Sequence, residues 1–409
     1  MTAVTDIHIL GVHQTDFARN TGREGATIAD LVRDTVTATL EAAALGTDAI
    51  ETIHVGNAFG LSYTGQAHLG AMPATVIDGL WGVPAMRHEG ACASSSLAAL
   101  AAMAELEAGR YDCALVLGVE IEKSVPGADA AAIQAGAAFV GHEAEAREVV
   151  WPAMFDRIAD EYDARFGVDD AHLRAIGRLN LENAQANPLA QTRQWSLDPR
   201  SFEADDVANP VVDGRLRRND CCQITDGGAG VVLVTDRWLA RHGRRPLARI
   251  AGWGHRTVGL ALEPKLTRSA GEPYVLPHVR QTITDAFARA GIADATALDG
   301  IETHDCMTPS EYMAIDHFGL TAPGESWKAI EDGVIERDGA LPFNAGGGLI
   351  GGGHPVGATG ARMLADATKQ VTDAAGDYQI EGARRMATLN IGGSTATTVS
   401  FVVEAAEES

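Results

Sequence analysis

Apolar runs separated by short glycine-containing or polar turns organise most of the chain. Cys113-Ala-Leu-Val-Leu-Gly-Val119 and Gly230-Val-Val-Leu-Val-Thr235 are continuous and β-rich, the pattern of strands covered on both faces. Between such runs, apolar positions recur at helical spacing. Residues 27–44 predict a helix stopped by Gly46, and residues 281–290 predict one ended by Gly291. Strands alternating with helices imply parallel sheets with helices on their faces. From residue 125 to 209 the pattern is more polar and poor in strands, with helices predicted over 151–166 and 170–186 before Asn187-Pro188. This stretch reads as an insertion lying over the core, and the α/β pattern resumes near Val211. Residues 225–236 and 391–404 are each a glycine-marked turn feeding a buried strand, as a duplicated unit would leave at the end of each half.

Length and charge narrow the class. With 409 residues, the chain is long enough for two domains or one duplicated one, because single cores stop growing at roughly 250–300 residues. A hydrophobic fraction of 46% is ample for a core. A formal charge of −23 argues against nucleic acid and anionic membrane surfaces, which select basic faces. A phosphorylated cofactor needs only a few local Arg residues. No run reaches the roughly 20 apolar residues of a membrane span. Met1–Leu10 carries Asp6 and His8 and does not read as a signal peptide, and residues 405–409 form neither a prenylation box nor a peroxisomal tripeptide. Five cysteines are too few for a disulfide framework. Reduced thiols and a cytoplasmic location are the expectation.

Three segments carry chemistry. In Glu89-Gly-Ala-Cys-Ala-Ser-Ser-Ser-Leu97, no charge follows Glu89 until Glu105, so the helix here is expected to be buried all round. Cys92 falls at its start, where free N–H groups favour a thiolate and hold an oxyanion; the plain alternative is a small buried hydrophobe. Phe343 to Arg362 packs six glycines into residues 346–353 and then places His354 between Gly353 and Pro355. It lacks the Walker and dinucleotide spacings, and the plain alternative is a glycine turn with an incidental His. In Glu302-Thr-His-Asp-Cys-Met-Thr-Pro-Ser-Glu-Tyr312, a strand gives way to a helix beginning near Pro309 with Thr308 or Ser310 as cap. His304 and Cys306 sit at that switch, where α/β sites form. A metal on His304, Asp305 and Cys306 lacks a spaced second pair of ligands. Cysteines and histidines at three turns suggest nucleophilic catalysis with proton transfer.

Together these segments resemble the thiolases, and specifically the sterol-carrier-protein-type branch, over nearly the whole chain. Gly90-Ala-Cys-Ala-Ser-Ser95 resembles the nucleophile segment and Gly353-His-Pro-Val-Gly-Ala-Thr-Gly360 the Gly-His-Pro motif. His304-Asp-Cys-Met307 resembles the branch's His-Asp-Cys-Phe. The resemblance implies an α/β thiolase fold with a five-layered αβαβα core of two similar halves. It assigns 1–124 with 210–245 to the first half, 125–209 to an inserted helical loop domain and 246–409 to the second half. By the same resemblance Cys92 is the acylated nucleophile, His354 activates it, Cys306 is the acid/base, and His304 takes the oxyanion-hole place of an Asn in ordinary thiolases. Backbone N–H groups of Cys92 and Gly392 form the other hole. The closing Cys-x-Gly of ordinary thiolases is here Asn390-Ile391-Gly392, so Cys306 compensates. Met307 for Phe changes the pocket shape.

The activity so implied is acyl-CoA C-acyltransfer: thiolysis of a 3-ketoacyl-CoA, or the reverse Claisen condensation, with coenzyme A and acyl-CoA as substrates and neither a covalent cofactor nor a metal. The alternatives are a thiolase-fold aldolase or lyase, an acetyltransferase acting on a non-CoA acceptor and, further off, a non-catalytic lipid-transfer protein. The family also implies a homodimer or homotetramer and, in some relatives, a small zinc-ribbon and OB-fold partner. Arg215, Arg217 and Arg218 are the candidates for CoA, with solvated surface charge as their plain reading. Cys113, Cys221 and Cys222 read as structural.

Overall fold

The computed structural model describes residues 5–143 and 149–406. The readings on Met1–Val4, on residues 144–148 of the insertion and on the last three residues lie outside these. Eleven strands are present among the described residues: β1 Ile7–Gln14, β2 Thr52–Gly56, β3 Ala85–His88, β4 Cys113–Glu120, β5 Val211–Asp213, β6 Leu216–Arg217, β7 Gly227–Thr235, β8 Ala248–Thr257, β9 Gly300–Thr303, β10 Arg385–Gly392 and β11 Thr397–Ala405. β5 and β6 form a separate ribbon. The other nine run in the order β3-β2-β4-β7-β1-β8-β11-β10-β9.

The duplication is visible in that order. Reading outward from the centre, β1-β7-β4-β2-β3 is matched by β8-β11-β10-β9, and a lone parallel bridge Ile301↔Phe343 stands where a fifth strand would be. β2 pairs parallel with β3 and β4, as β9 does with β10. Among the described residues, β1 and β8 pair at His8↔Arg249 and Ile9↔Ala248 where the two halves meet in the sheet. Helices between equivalent strands match too. Ile28–Ala42 follows β1 as Pro277–Ala290 follows β8, and Ser94–Glu107 precedes β4 as Thr359–Val371 precedes β10.

Side-chain alternation in the strands builds the five layers. Val232 and Val234 of β7 pack outward with Val32, Val36 and Leu40 of the Ile28 helix. Val231 and Leu233 face inward, with Ala98 and Ala102 of the Ser94 helix, Leu364 of the Thr359 helix, and Val399 and Phe401 of β11. On the far side Val279, Ile283 and Phe287 of the Pro277 helix cover Val402. Burial of this kind is worth about 1.5–3 kcal/mol per large apolar side chain. The segment between β4 and β7 adds no strand to the nine. Its helices Val150–Phe166 and Asp170–Ala184 bury Phe155, Ile158, Tyr162 and Ile176 against Tyr312, Met313 and Ile315 of Thr308–His317.

Local differences from the sequence reading have physical causes. The helix expected from Gln281 starts at Pro277, because Pro fits the first turn, and it ends on Gly291 in the left-handed region. The Thr308–His317 helix has Met307 at its N-cap and no side-chain cap. The Ser310 hydroxyl instead donates to the His304 carbonyl. The Ser94 helix is not buried all round: Ala104 is exposed, and Leu97, Leu100 and Ala101 are only partly covered.

The central layer is glycine-close. A Cβ on Gly118 of β4 would lie 2.5 Å from the Ala358 Cα, so β4 can approach the turn after His354 only without a side chain there. Gly118→Ala is expected to cost about 1–3 kcal/mol, the usual penalty of overpacking, read as a lower urea midpoint at unchanged slope. A midpoint equal to wild type would show that the layer can give.

Candidate active site

Cys92 sits in the 3-10 turn Ala91–Ala93 that leads into Ser94–Glu107. Ala91 has φ 50°, a left-handed conformation costly for a residue with a Cβ. It is held by hydrogen bonds: its N–H donates to Glu89 Oε1 at 2.6 Å, and its carbonyl accepts from Ser94 Oγ at 2.6 Å. His354 reaches the same point from the other half. Its N–H donates to Thr225 Oγ1 at 2.9 Å, and Gly353 before it has φ 111°. The result is a 3.2 Å contact between His354 Nε2 and Cys92 Sγ.

Neighbouring hydroxyls and amides fix the tautomers of both histidines. Thr359 Oγ1 donates its one proton to the Pro355 carbonyl at 3.1 Å and lies 2.7 Å from His354 Nδ1. It therefore accepts from Nδ1–H, which leaves Nε2 bare and facing the thiol. His304 is set the opposite way. Ser96 Oγ donates to Asn390 Oδ1 at 2.8 Å, so the Asn390 amide nitrogen, 3.3 Å from His304 Nδ1, donates to it. His304 Nε2 then carries the proton, is buried, and has no partner among the described residues. The two rings stand edge to face at 5.3 Å. Cys92, His304 and His354 bring one ligand atom each within 4.8 Å of one another, so one base and one donor converge on one thiol.

Burial sets the charges. It pushes His354 down to about 3, with Arg362 adding to the effect. It also takes His304 well below the ordinary range, with His354 and Arg362 as further causes. Both rings are neutral near pH 7, as a base and a neutral donor must be. The thiolate expected at Cys92 is not its resting form. Burial, then Glu122, pushes its thiol up to about 12, against the opposing pull of two main-chain N–H groups, those of Gly393 and Cys92 itself. These outweigh a single 3-10 turn, and the resting pair is thiol and imidazole. The Gly393 N–H thus lies at the Cys92 sulfur, next in the chain to Gly392, whose N–H is the one expected in the oxyanion hole. Gly392 is paired opposite Thr397, and a Cβ there would strike the Gly90 carbonyl.

A cavity of about 310 Å³ opens onto Cys92. Cys306, Met307, His354 and Gly393 line it, with Val150, Trp151 and Phe155 of the inserted segment. Cys221 and Cys222, expected to be structural, are also in its wall. Of the three arginines only Arg218 reaches it. Arg215 is held by Asp160, Asp163 and Asp170, and Arg217 by Asp206, within the inserted segment. The Asp305 carboxylate accepts from the Leu349 and Ile350 N–H groups and from Asn180, which takes it out of any metal set with His304 and Cys306. A larger hollow of about 830 Å³ beside Leu262–Arg268 contains none of the candidate residues.

Sequence reasoning missed Glu120 and Glu122. Glu122 Oε1 accepts the Val356 N–H at 2.7 Å and Glu120 Oε2 the Gly357 N–H at 3.1 Å, clamping the turn after His354. Two acids closing the apolar run of β4 were the available signal. It also missed Thr359 and the part played by Asn390.

Two family models match, "Thiolase, N-terminal domain" over residues 7–191 and "Thiolase C-terminal domain-like" over 265–405. The chain is 29% identical over 399 residues to an acetyl-CoA acetyltransferase of Methanothermobacter thermautotrophicus, covering 97% of this chain and 99% of that protein. It is 26% identical to sterol carrier protein 2 of Bos taurus, covering 97% of this chain and 72% of the relative. The solved structure described as "Ltp2-ChsH2(DUF35) aldolase" superposes with a TM-score of 0.77 at 21% identity, over 99% of both chains. The chain belongs to the thiolase family.

Asn390→Ala removes the amide that sets His304. Loss of one such hydrogen bond is worth about 1–1.5 kcal/mol, so a drop of about tenfold in kcat with little change in KM is expected. An unchanged kcat would mean that His304 keeps its tautomer without Asn390.

Proposed function

We propose that the chain is an acyl-CoA C-acyltransferase that cleaves a 3-ketoacyl-CoA with CoA, or runs the reverse Claisen condensation, through an acyl thioester on Cys92. The observation that carries this reading is the 3.2 Å contact between Cys92 Sγ and a bare His354 Nε2. His354 takes the thiol proton, and the thiolate attacks the keto carbon. The oxyanion meets the Cys92 N–H and that of the Gly392–Gly393 turn. Collapse breaks the carbon–carbon bond and releases an enolate. Its oxygen is met by His304 Nε2–H and the protonated His354, and its carbon is protonated by Cys306. The CoA thiol returns a proton to Cys306 and attacks the acyl-Cys92 thioester, whose sulfur recovers its proton from His354. Arg218 is exposed at the cavity, which supports it as the candidate to meet a CoA phosphate.

The same reading includes self-association. In support, the edge strand β3 is open, Trp81 and Met86 are 83% and 42% exposed, and Leu97, Leu100, Ala101 and Ala104 form a partly open apolar stripe. Support for the expected zinc-ribbon and OB-fold partner is confined to the neighbour described together with a DUF35 protein. Among the described residues no helix is long and apolar enough to cross a membrane.

On acetoacetyl-CoA, the intact protein should gain one acetyl mass at Cys92, and Cys92→Ser should gain none. Cys306→Ala should still be acylated by acetyl-CoA while steady-state thiolysis falls by roughly 10²-fold, the usual scale for a general acid–base group. Carbon–carbon cleavage by Cys92→Ser without any adduct would replace this reading with an aldolase. Light scattering should give at least a dimer; a stable 42.9 kDa species would remove self-association from it.

A further inference from the structure

We propose that Cys222 and Cys306 form a reversible disulfide, an oxidation site in the cavity wall that takes a small-molecule disulfide as its co-reactant. Residues 221–222 run antiparallel to 306–307. Cys221 bridges Met307, and the Cys222 N–H donates to the Cys306 carbonyl at 2.8 Å. That register puts Cys222 directly opposite Cys306. Opposed residues of antiparallel pairs have Cα atoms about 4.5–5.5 Å apart, inside the window of about 4.4–6.8 Å that a disulfide spans. Both residues line the cavity beside Cys92. Cys222 is half-buried and Cys306 is 6% exposed, so a reagent entering by the cavity meets Cys222 first. The proposed reaction makes no use of Cys222.

The chemistry is two exchanges. The Cys222 thiolate attacks a disulfide RS–SR, whose sulfur–sulfur bond breaks and releases RS⁻. The Cys306 thiolate then attacks the Cys222 sulfur of the mixed disulfide and expels the second RS⁻. The two cysteines lose two protons and two electrons, and the reagent leaves as two thiols. Burial pushes both thiols well above their usual range, and for Cys306 the neighbouring Cys222 is the next cause. Few thiolates are therefore present at neutral pH, and exchange is slow compared with that of an open cysteine. The functional consequence rests on the acid/base role proposed for Cys306: the oxidised protein would still acylate Cys92 but fail to protonate the enolate.

The test equilibrates the full chain with oxidised glutathione or with dithiothreitol and maps peptides without reduction. The Cys222 and Cys306 peptides should be joined after oxidation, in wild type and in Cys92→Ser alike. Wild-type thiolysis should fall by tenfold or more and return with dithiothreitol, while Cys222→Ser keeps its own reduced-state rate under oxidation. A glutathione adduct persisting on Cys222 with Cys306 free would overturn the site. So would a Cys92–Cys306 link in its place, or equal sensitivity of Cys222→Ser and wild type. Joined peptides in a protein with no thiolysis in either state would support the site and reject the proposed reaction.

Discussion

Everything at the site depends on how closely two helices meet in the middle of the molecule. Ser94–Glu107 and Thr359–Val371 start side by side, with the Ala361 N–H donating to Ser95 Oγ at 2.9 Å and Gly360 against the Ser96 main chain. One is preceded by Cys92 and the other by Pro355 and His354. The two helices hold equivalent places in the two halves, so duplication delivers a pair of helix N-termini to one point. Small residues make the approach possible: with a Cβ on Gly118 or Gly360 the turns would be pushed apart, and the 3.2 Å contact between thiol and imidazole lost.

Two histidines in the same dry pocket do different work because their partners differ. A hydroxyl that has already given away its proton makes His354 a base at Nε2. An amide whose oxygen is already occupied makes His304 a donor at Nε2. Neutrality of both follows from burial, which costs a cation more than it costs the neutral ring. A charged histidine at either place would cancel the distinction, since both of its nitrogens would then be donors.

What was legible in the sequence was whatever depends on local pattern. The buried strands β4 and β7, the helix closed by Gly291 and the motifs around Cys92, His304, Cys306 and His354 all repeat features of a few consecutive residues. What was not legible depends on neighbours far along the chain. The resting protonation of Cys92 follows from its cover and from Glu122, and no nearby residue announces it. Arg215 looks like a phosphate ligand until three aspartates of the inserted segment claim it. Cys221 and Cys222 look like filler until residues 221–222 are seen to run beside 306–307. Asn390 looks like a lost cysteine, and its use is to orient a ring 86 positions away.

In the sheet the halves pair briefly along a seam, among the described residues at His8↔Arg249 and Ile9↔Ala248, and they are joined more broadly by the inner helices; the reacting groups are divided between them. Cys92 precedes the seam in the chain; His304, Cys306 and His354 follow it. Neither half inherits a working centre of its own. A change that shifts the turn where the helices meet therefore moves groups of both halves at once, whichever half carries it.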